Sequence, residues 1–252
     1  MKFEKFILDL PDDIFHQLKP LTQFENVTKG RQGAVLVRKD IHVPIIRTTT
    51  IYQSPAQFFK QLHLDIITKI YQKTGLHKAL RLNNALIEVY NSEYRKMGFH
   101  SDQALDMAKD SYICVYSCYD DPSTKDLRKL IFKEKGSDQE FEVVMEHNSV
   151  VIFSSEVNKQ HLHKIILDQS TSDAHWLGIT FRQSKTNIVY GDEEPPRFEK
   201  KYNVIKLATE EQKKEFYKLR GMENSLIDYE YPNLNYTISP SDLVPPQDLV
   251  KS

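Results

Sequence analysis

No apolar run in the 252 residues approaches the roughly 18–20 needed to cross a membrane as a helix. The opening MKFEKFILDLPDD interleaves charges with apolar residues and lacks the uninterrupted apolar core of a secretion signal. Cysteine is scarce, with only Cys114 and Cys118. On a strand, residues four apart share a face about 13 Å from each other, beyond disulfide reach. Both therefore read as buried, reduced residues of an intracellular protein, cytoplasmic or nuclear. Charge of one sign is also missing: 34 basic residues against 35 acidic give a net charge of −1. That excludes a global tether to nucleic acid, and any polyanion contact needs a local basic patch. There is no GxSxG elbow, no phosphate-binding P-loop and no GxGxxG, which removes the common hydrolase and nucleotide-binding readings. Internal repeats and low-complexity tracts are absent as well.

What is present suffices for a sizeable core: 40% of residues are hydrophobic and 11% aromatic. The spacing predicts three regions. Residues 1–81 form an N-terminal helical layer with a lid segment, and in them SPAQFFKQLHLDIITKIYQKTG reads as a helix. Ser54 is its N-cap, Pro55 its first helical residue and Gly75 its end. Residues 82–190 break into short β-branched and aromatic segments: ALIEVY, SYICVYSCY, LRKLIFK, FEVVM, SVVIF, HLHKIIL and HWLGITFR. They argue for a sandwich, jelly roll or barrel. Residues 191–252 hold six of the eleven prolines, one helix and an extended arm packed on the core. The helix, TEEQKKEFYKLRG, has a capping box from Thr209 to Gln212 and Gly221 at its end. The fold class is thus mainly β with flanking helices.

Two His-x-Asp tripeptides occur, His63-Leu64-Asp65 and His100-Ser101-Asp102, where composition alone yields about one His-x-acid pair. The first lies in the predicted helix. Residues two apart there point in nearly opposite directions and cannot share an ion, so His63 is expected on the helix surface. The second lies at a strand end or in the loop after it, where residues two apart project to one side. An imidazole and a carboxylate so placed, joined by a later histidine, make the facial triad of non-haem Fe(II) oxygenases. KQHLHKIIL offers His161 and His163, again two apart. Arg182 and Ser184 share a face of the strand after it, and a guanidinium with a neighbouring hydroxyl suits a dicarboxylate. Tyr90, ending ALIEVY, has a hydrogen bond to give to the same ligand.

At this point LNNALIEVY…MGFHSDQ…HLHKI…ITFRQ, from about Val43 to Asn187, resembles the AlkB-like branch of the Fe(II)/2-oxoglutarate dioxygenases. The resemblance implies a double-stranded β-helix (jelly roll) with Fe(II) as metal, and 2-oxoglutarate and O₂ as cosubstrates. It makes His100, Asp102 and His163 the iron ligands, with His163 favoured over His161 by the Lys164-Ile165 that follows. Tyr90 and Arg182 fall on cosubstrate positions, with Ser184 sharing the load. VPIIRTTTIYQ resembles the family's substrate lid, which puts Arg47 and Tyr52 near the substrate. The implied reaction is oxidative demethylation of a nucleobase in DNA or RNA, reached in a single strand or by flipping. Three positions depart from the pattern. Trp176 stands where the first of two arginines belongs, Glu88 where an asparagine belongs, and Gln53 where the lid's glycine belongs. Glu88 reads either as a substrate hydrogen-bond acceptor or as a solvent-facing strand residue, and the Arg47–Tyr52 segment as lid or as plain hairpin. A protein or small-molecule hydroxylase, and a metal-binding module without turnover, remain open beside the demethylase.

Overall fold

The computed structural model describes residues 3–76, 81–191, 194–200 and 203–247. The first third supplies β1 (Phe3–Ile7), α1 (Ile14–Leu18), β2 (Glu25–Thr28), β3 (Arg31–Val37), β4 (Val43–Ile45), β5 (Gln57–Phe58) and α2 (Gln61–Thr74). The strand-rich region follows as β6 (Asn84–Tyr90), β7 (Tyr112–Tyr119), β8 (Lys129–Glu134), β9 (Glu140–Val144), β10 (Ser149–Ser154), α3 (Ser155–Gln160), β11 (His161–Ile166) and β12 (Trp176–Arg182). All seven segments read from the sequence are strands within a residue or two of their expected ends. The first region is less helical than expected, because β1, β2 and β3 join the main sheet.

That sheet runs β1-β10-β7-β12-β6-β3-β2, with β5 alongside β3. A smaller sheet, β11-β8-β9, faces it, and isolated bridges Lys96–Ile166 and His100–His163 add the segment 96–100 to its edge. Two antiparallel sheets closed over one interior are the expected jelly roll. Alternation sorts the side chains. Ala85, Ile87 and Val89 of β6 face outward into a core shared with Ile14 and Leu18 of α1 and Ile66 and Ile70 of α2. Leu86, Glu88 and Tyr90 face the interior between the sheets, where Tyr90 packs on Trp176 at 4.8 Å between ring centroids, in one cluster with Phe132 and Phe153. Because helices cover one face and the second sheet covers the other, β6 is buried along its whole length. Cys114 and Cys118 are free, buried and on one face, under the helices.

Three local expectations change. The predicted helix start at Ser54 gives way to β5, whose Gln57 and Phe58 pair with Leu36 and Val37. The Gln57 side chain also binds the backbone of Gln23 at 2.9 and 2.7 Å, so the chain stays extended to Lys60 and α2 begins at Gln61. His63 is not on the surface. It is fully buried, and its Nδ1 accepts the Lys60 N–H at 3.0 Å, which caps the helix from within. The last helix, α4 (Glu210–Ser225), has the Thr209–Gln212 capping box but runs on through Gly221. Arg220, Glu223 and Asn224 hold the extra turn in place through contacts to residues 101–104.

Candidate metal centre

The strand pairing builds this site. His100, in the segment bridged to the edge of β11, sits opposite His163 of that strand, and the two exchange both backbone hydrogen bonds, at 3.0 and 2.6 Å. That pins the two imidazoles side by side, with ring centroids 4.7 Å apart. Asp102, two residues on, is fixed by a reciprocal pair with Asn158 of α3. Its N–H donates to Asn158 Oδ1 at 2.7 Å and its carbonyl accepts from Asn158 Nδ2 at 2.6 Å. Helix α4 grips the same segment from the far side: Asn224 Oδ1 accepts from the Ser101 N–H, Glu223 from the Ala104 N–H, and Arg220 donates to the Ser101 carbonyl. His100, Asp102 and His163 then offer ligand atoms that all lie within 4.8 Å of one another.

Electrostatics prepare these atoms for a cation. Burial, reinforced by the neighbouring His100, drives His163 down to about 3 against the pull of Asp102. Burial likewise lowers His100. Burial pushes Asp102 upward, but Arg182 and the two imidazoles outweigh it and leave the carboxyl at about 2. At neutral pH the set is two neutral imidazoles and one carboxylate, the donor state a divalent metal requires. The Gly98 carbonyl lies 3.0 Å from His100 Nδ1 and can only accept, so Nδ1 carries the hydrogen and Nε2 keeps its lone pair. His163 Nδ1 is buried without a partner. Two imidazoles and one carboxylate suit iron with open positions.

The triad lines a cavity of about 320 Å³ together with Arg31, Thr48–Thr50, Glu88, Gln103 and Arg182. A larger groove of about 640 Å³ borders Ala104–Asp106 and contains none of the triad, so size alone does not mark the site. The smaller cavity has room beside the triad for a small acid. Arg182 Nη1 is buried, has no partner, and belongs to a guanidinium that lines the space.

The other residues singled out in the sequence divide. Glu88 lines the cavity, buried and ion-paired with Arg31, which rules out the solvent-facing reading. Tyr52 is buried with an unpartnered hydroxyl, packed where a Cβ on Gly33 would come within 2.8 Å of it. Arg182 spends its Nε and Nη2 on Asp102 and keeps only Nη1 for a ligand in the cavity. The Tyr90 hydroxyl donates to Glu88 Oε2 at 2.7 Å rather than into the cavity. The Ser184 hydroxyl donates to the Ile45 carbonyl at 2.5 Å and accepts from the Thr186 N–H at 3.0 Å, and it does not line the cavity. Arg47 is a buried structural cation instead of a lid contact, because Asp106 and the carbonyls of Leu234 and Tyr236 take its donors. Trp176 lies in the core, bonded through Nε1 to Ser117 at 2.5 Å. His161 stays outside the triad, with Nδ1 3.1 Å from the Val157 carbonyl.

Sequence reasoning missed Arg31, Gln103, Asn158 and the α4 residues. Gln103 directly follows Asp102 and was findable from the motif. The others meet the site only through the fold, at separations that leave no spacing to read.

Residues 32–189, more than half of the chain, match the family model described as the 2OG-Fe(II) oxygenase superfamily. Among solved structures, that titled "The structure of OsALKBH1" is similar at 15% identity and a TM-score of 0.51, over 72% of this chain and 97% of that one. A Pseudomonas putida prolyl-4-hydroxylase aligns at 13% identity and a TM-score of 0.43, over 72% and 92%. No curated protein matches the sequence. With the family model spanning the segments that carry His100, Asp102 and His163, the chain belongs to the 2OG-Fe(II) oxygenase superfamily, enzymes whose cosubstrate is 2-oxoglutarate.

Proposed function

We propose that the chain is an AlkB-like oxygenase that removes a methyl group from a nucleobase, with His100, Asp102 and His163 as the iron ligands. The observation that carries this reading is Gln103. It is buried, it lines the triad cavity, and neither its amide nitrogen nor its amide oxygen has a partner. A buried amide left unsatisfied costs about 1–3 kcal/mol, so such a group is matched to a ligand. A carboxamide offers a donor and an acceptor side by side, the complement of a base edge. Thr48, Thr49 and Thr50 of the lid-like segment line the same cavity, and about 300–1,000 Å³ is the usual size of a small-molecule site. Base access then requires a single strand or a flipped nucleotide.

Iron held by these residues would, with 2-oxoglutarate and O₂, supply the chemistry that puts one oxygen of O₂ into a C–H bond and the other into succinate, with CO₂ released. The chain's own groups do the rest. Arg182 keeps Asp102 ionised, the backbone pair between His100 and His163 fixes the imidazoles, and Gln103 orients the base. Hydroxylation of an N-methyl carbon gives a hydroxymethyl group that sheds formaldehyde. The test is formaldehyde release from N-methylated oligonucleotides, single- and double-stranded, by wild type and Gln103→Ala. Release by wild type and its loss in the variant support the reading. Turnover stimulated only by peptides or small molecules replaces it with the hydroxylase alternative.

A further inference from the structure

The cavity that holds the triad also carries an ion pair in its wall. Arg31 on β3 donates Nε to Glu88 Oε1 at 2.8 Å, and its Nη2 contacts the same oxygen. Tyr90 donates to the other Glu88 oxygen at 2.7 Å, and Thr50 Oγ1 lies 3.3 Å from Arg31 Nη2. The two charged side chains are 12% and 8% exposed, and both line the cavity that holds the triad. Among the described residues, Arg31 Nη1 has no hydrogen-bond partner.

Two neighbours show why the cation comes from β3. Trp176, Tyr90 and Arg31 occupy one register row across β12, β6 and β3. At the β12 end of that row, the Trp176 ring lies along the strand over Gly178, where a Cβ would fall 1.9 Å from it. The indole thus fills its own place in the row, and the guanidinium enters two strands away. Of the other arginines lining the cavity, Arg182 has only its Nη1 unpartnered, next to Asp102. Arg182 and Arg220 line the cavity but hold the 101–104 segment. Arg128 donates to the carbonyls of Tyr94 and Asn91 and does not line the cavity.

We propose that Arg31 receives the second carboxylate of 2-oxoglutarate and that Glu88 competes with it for the same guanidinium. A guanidinium carries five donors, and Arg31 spends only those of Nε and Nη2 on its protein partners. The cosubstrate's carboxylate takes Nη1 but must approach Glu88, and two carboxylates sharing one cation in a partly desolvated wall repel. The chain therefore selects a dicarboxylic 2-oxo acid while binding it more weakly than the cation alone would allow. This rests on 2-oxoglutarate being the cosubstrate and is independent of which substrate is oxidised.

The experiment is calorimetric titration of the Fe(II)-loaded protein under argon. The ligands are 2-oxoglutarate and 2-oxobutyrate, which keeps the chelating head but lacks the second carboxylate. Glu88→Gln should tighten 2-oxoglutarate about tenfold, because like-charge repulsion is relieved, and leave 2-oxobutyrate nearly unchanged. Arg31→Met combined with Glu88→Gln, which leaves neither charge buried alone, should abolish the preference for the dicarboxylate. Thermal melting and Fe(II) affinity report whether each variant is intact. Equal or weaker 2-oxoglutarate binding in Glu88→Gln overturns the proposal, as does a preserved preference in the double variant. Should the double variant not fold, the sign of the change in Glu88→Gln decides.

Discussion

Arg182 closes on Asp102 as a fork, Nε to Oδ2 at 2.8 Å and Nη2 to Oδ1 at 3.1 Å. The arginine that the sequence motif assigns to the cosubstrate is thus bound to the carboxylate of the candidate metal triad. The pairing orients Asp102 and keeps it ionised despite its burial. Partners of this kind typically carry 10–100-fold in metal affinity. Arg182→Met should accordingly weaken Fe(II) binding about 10–100-fold, read by anaerobic metal titration. Metal affinity equal to wild type, with only the 2-oxoglutarate requirement raised, would return Arg182 to the cosubstrate alone.

His161 and His163 are two residues apart on one strand, yet only His163 joins the triad. His163→Ala should abolish iron binding and turnover, because it opens the facial set. His161→Ala should keep both, since its ring lies against the Val157 carbonyl. Metal titration of the two variants side by side checks this, and the reverse order would reassign the ligand.

Arg47 is expected to matter for stability and not for substrate. Its pair with Asp106 is buried, with side chains 4% and 0% exposed. Removing one partner of such a pair costs about 3–5 kcal/mol. Arg47→Ala should show that loss in urea unfolding, while the triad keeps its metal affinity in whatever fraction stays folded. A variant of wild-type stability that had lost substrate stimulation would restore the lid reading.

His63 gives the chain an acid-sensitive element. Burial, with some help from Lys60, lowers it from 6.5 to about 4. Between those two values the unfolded chain holds more protons than the folded one, so stability falls as pH falls through this window, by roughly 3 kcal/mol in total. Below about 4 both states are protonated and His63 contributes no further slope. His63→Asn keeps an acceptor for the Lys60 N–H and removes the titration. Its unfolding free energy should fall less steeply than wild type over that range, and equal slopes would contradict the assignment.

The strands and the triad were legible because each rests on local periodicity: alternating β-branched residues for β6 to β12, and two-residue spacing at His100 and Asp102. His63 misled because a helical wheel does not show a cap formed by a side chain turned inward to its own first turn. Ser54 and Pro55 carry a valid helix-start pattern, yet pairing of β5 with β3 overrides it. Arg31, Asn158 and Arg220 act on the site from separate strands and helices. Their roles follow from sheet order, as do the engagement of Arg182 with Asp102 and of Tyr90 with Glu88.

The most direct test is anaerobic addition of Fe(II) and then 2-oxoglutarate, watched by the visible metal-to-ligand charge-transfer band. Wild type should develop the band only when both are present, and His100→Ala, Asp102→Ala and His163→Ala should not develop it. Wild-type protein that binds neither component, or variants that still form the band, would contradict an iron site at these three residues.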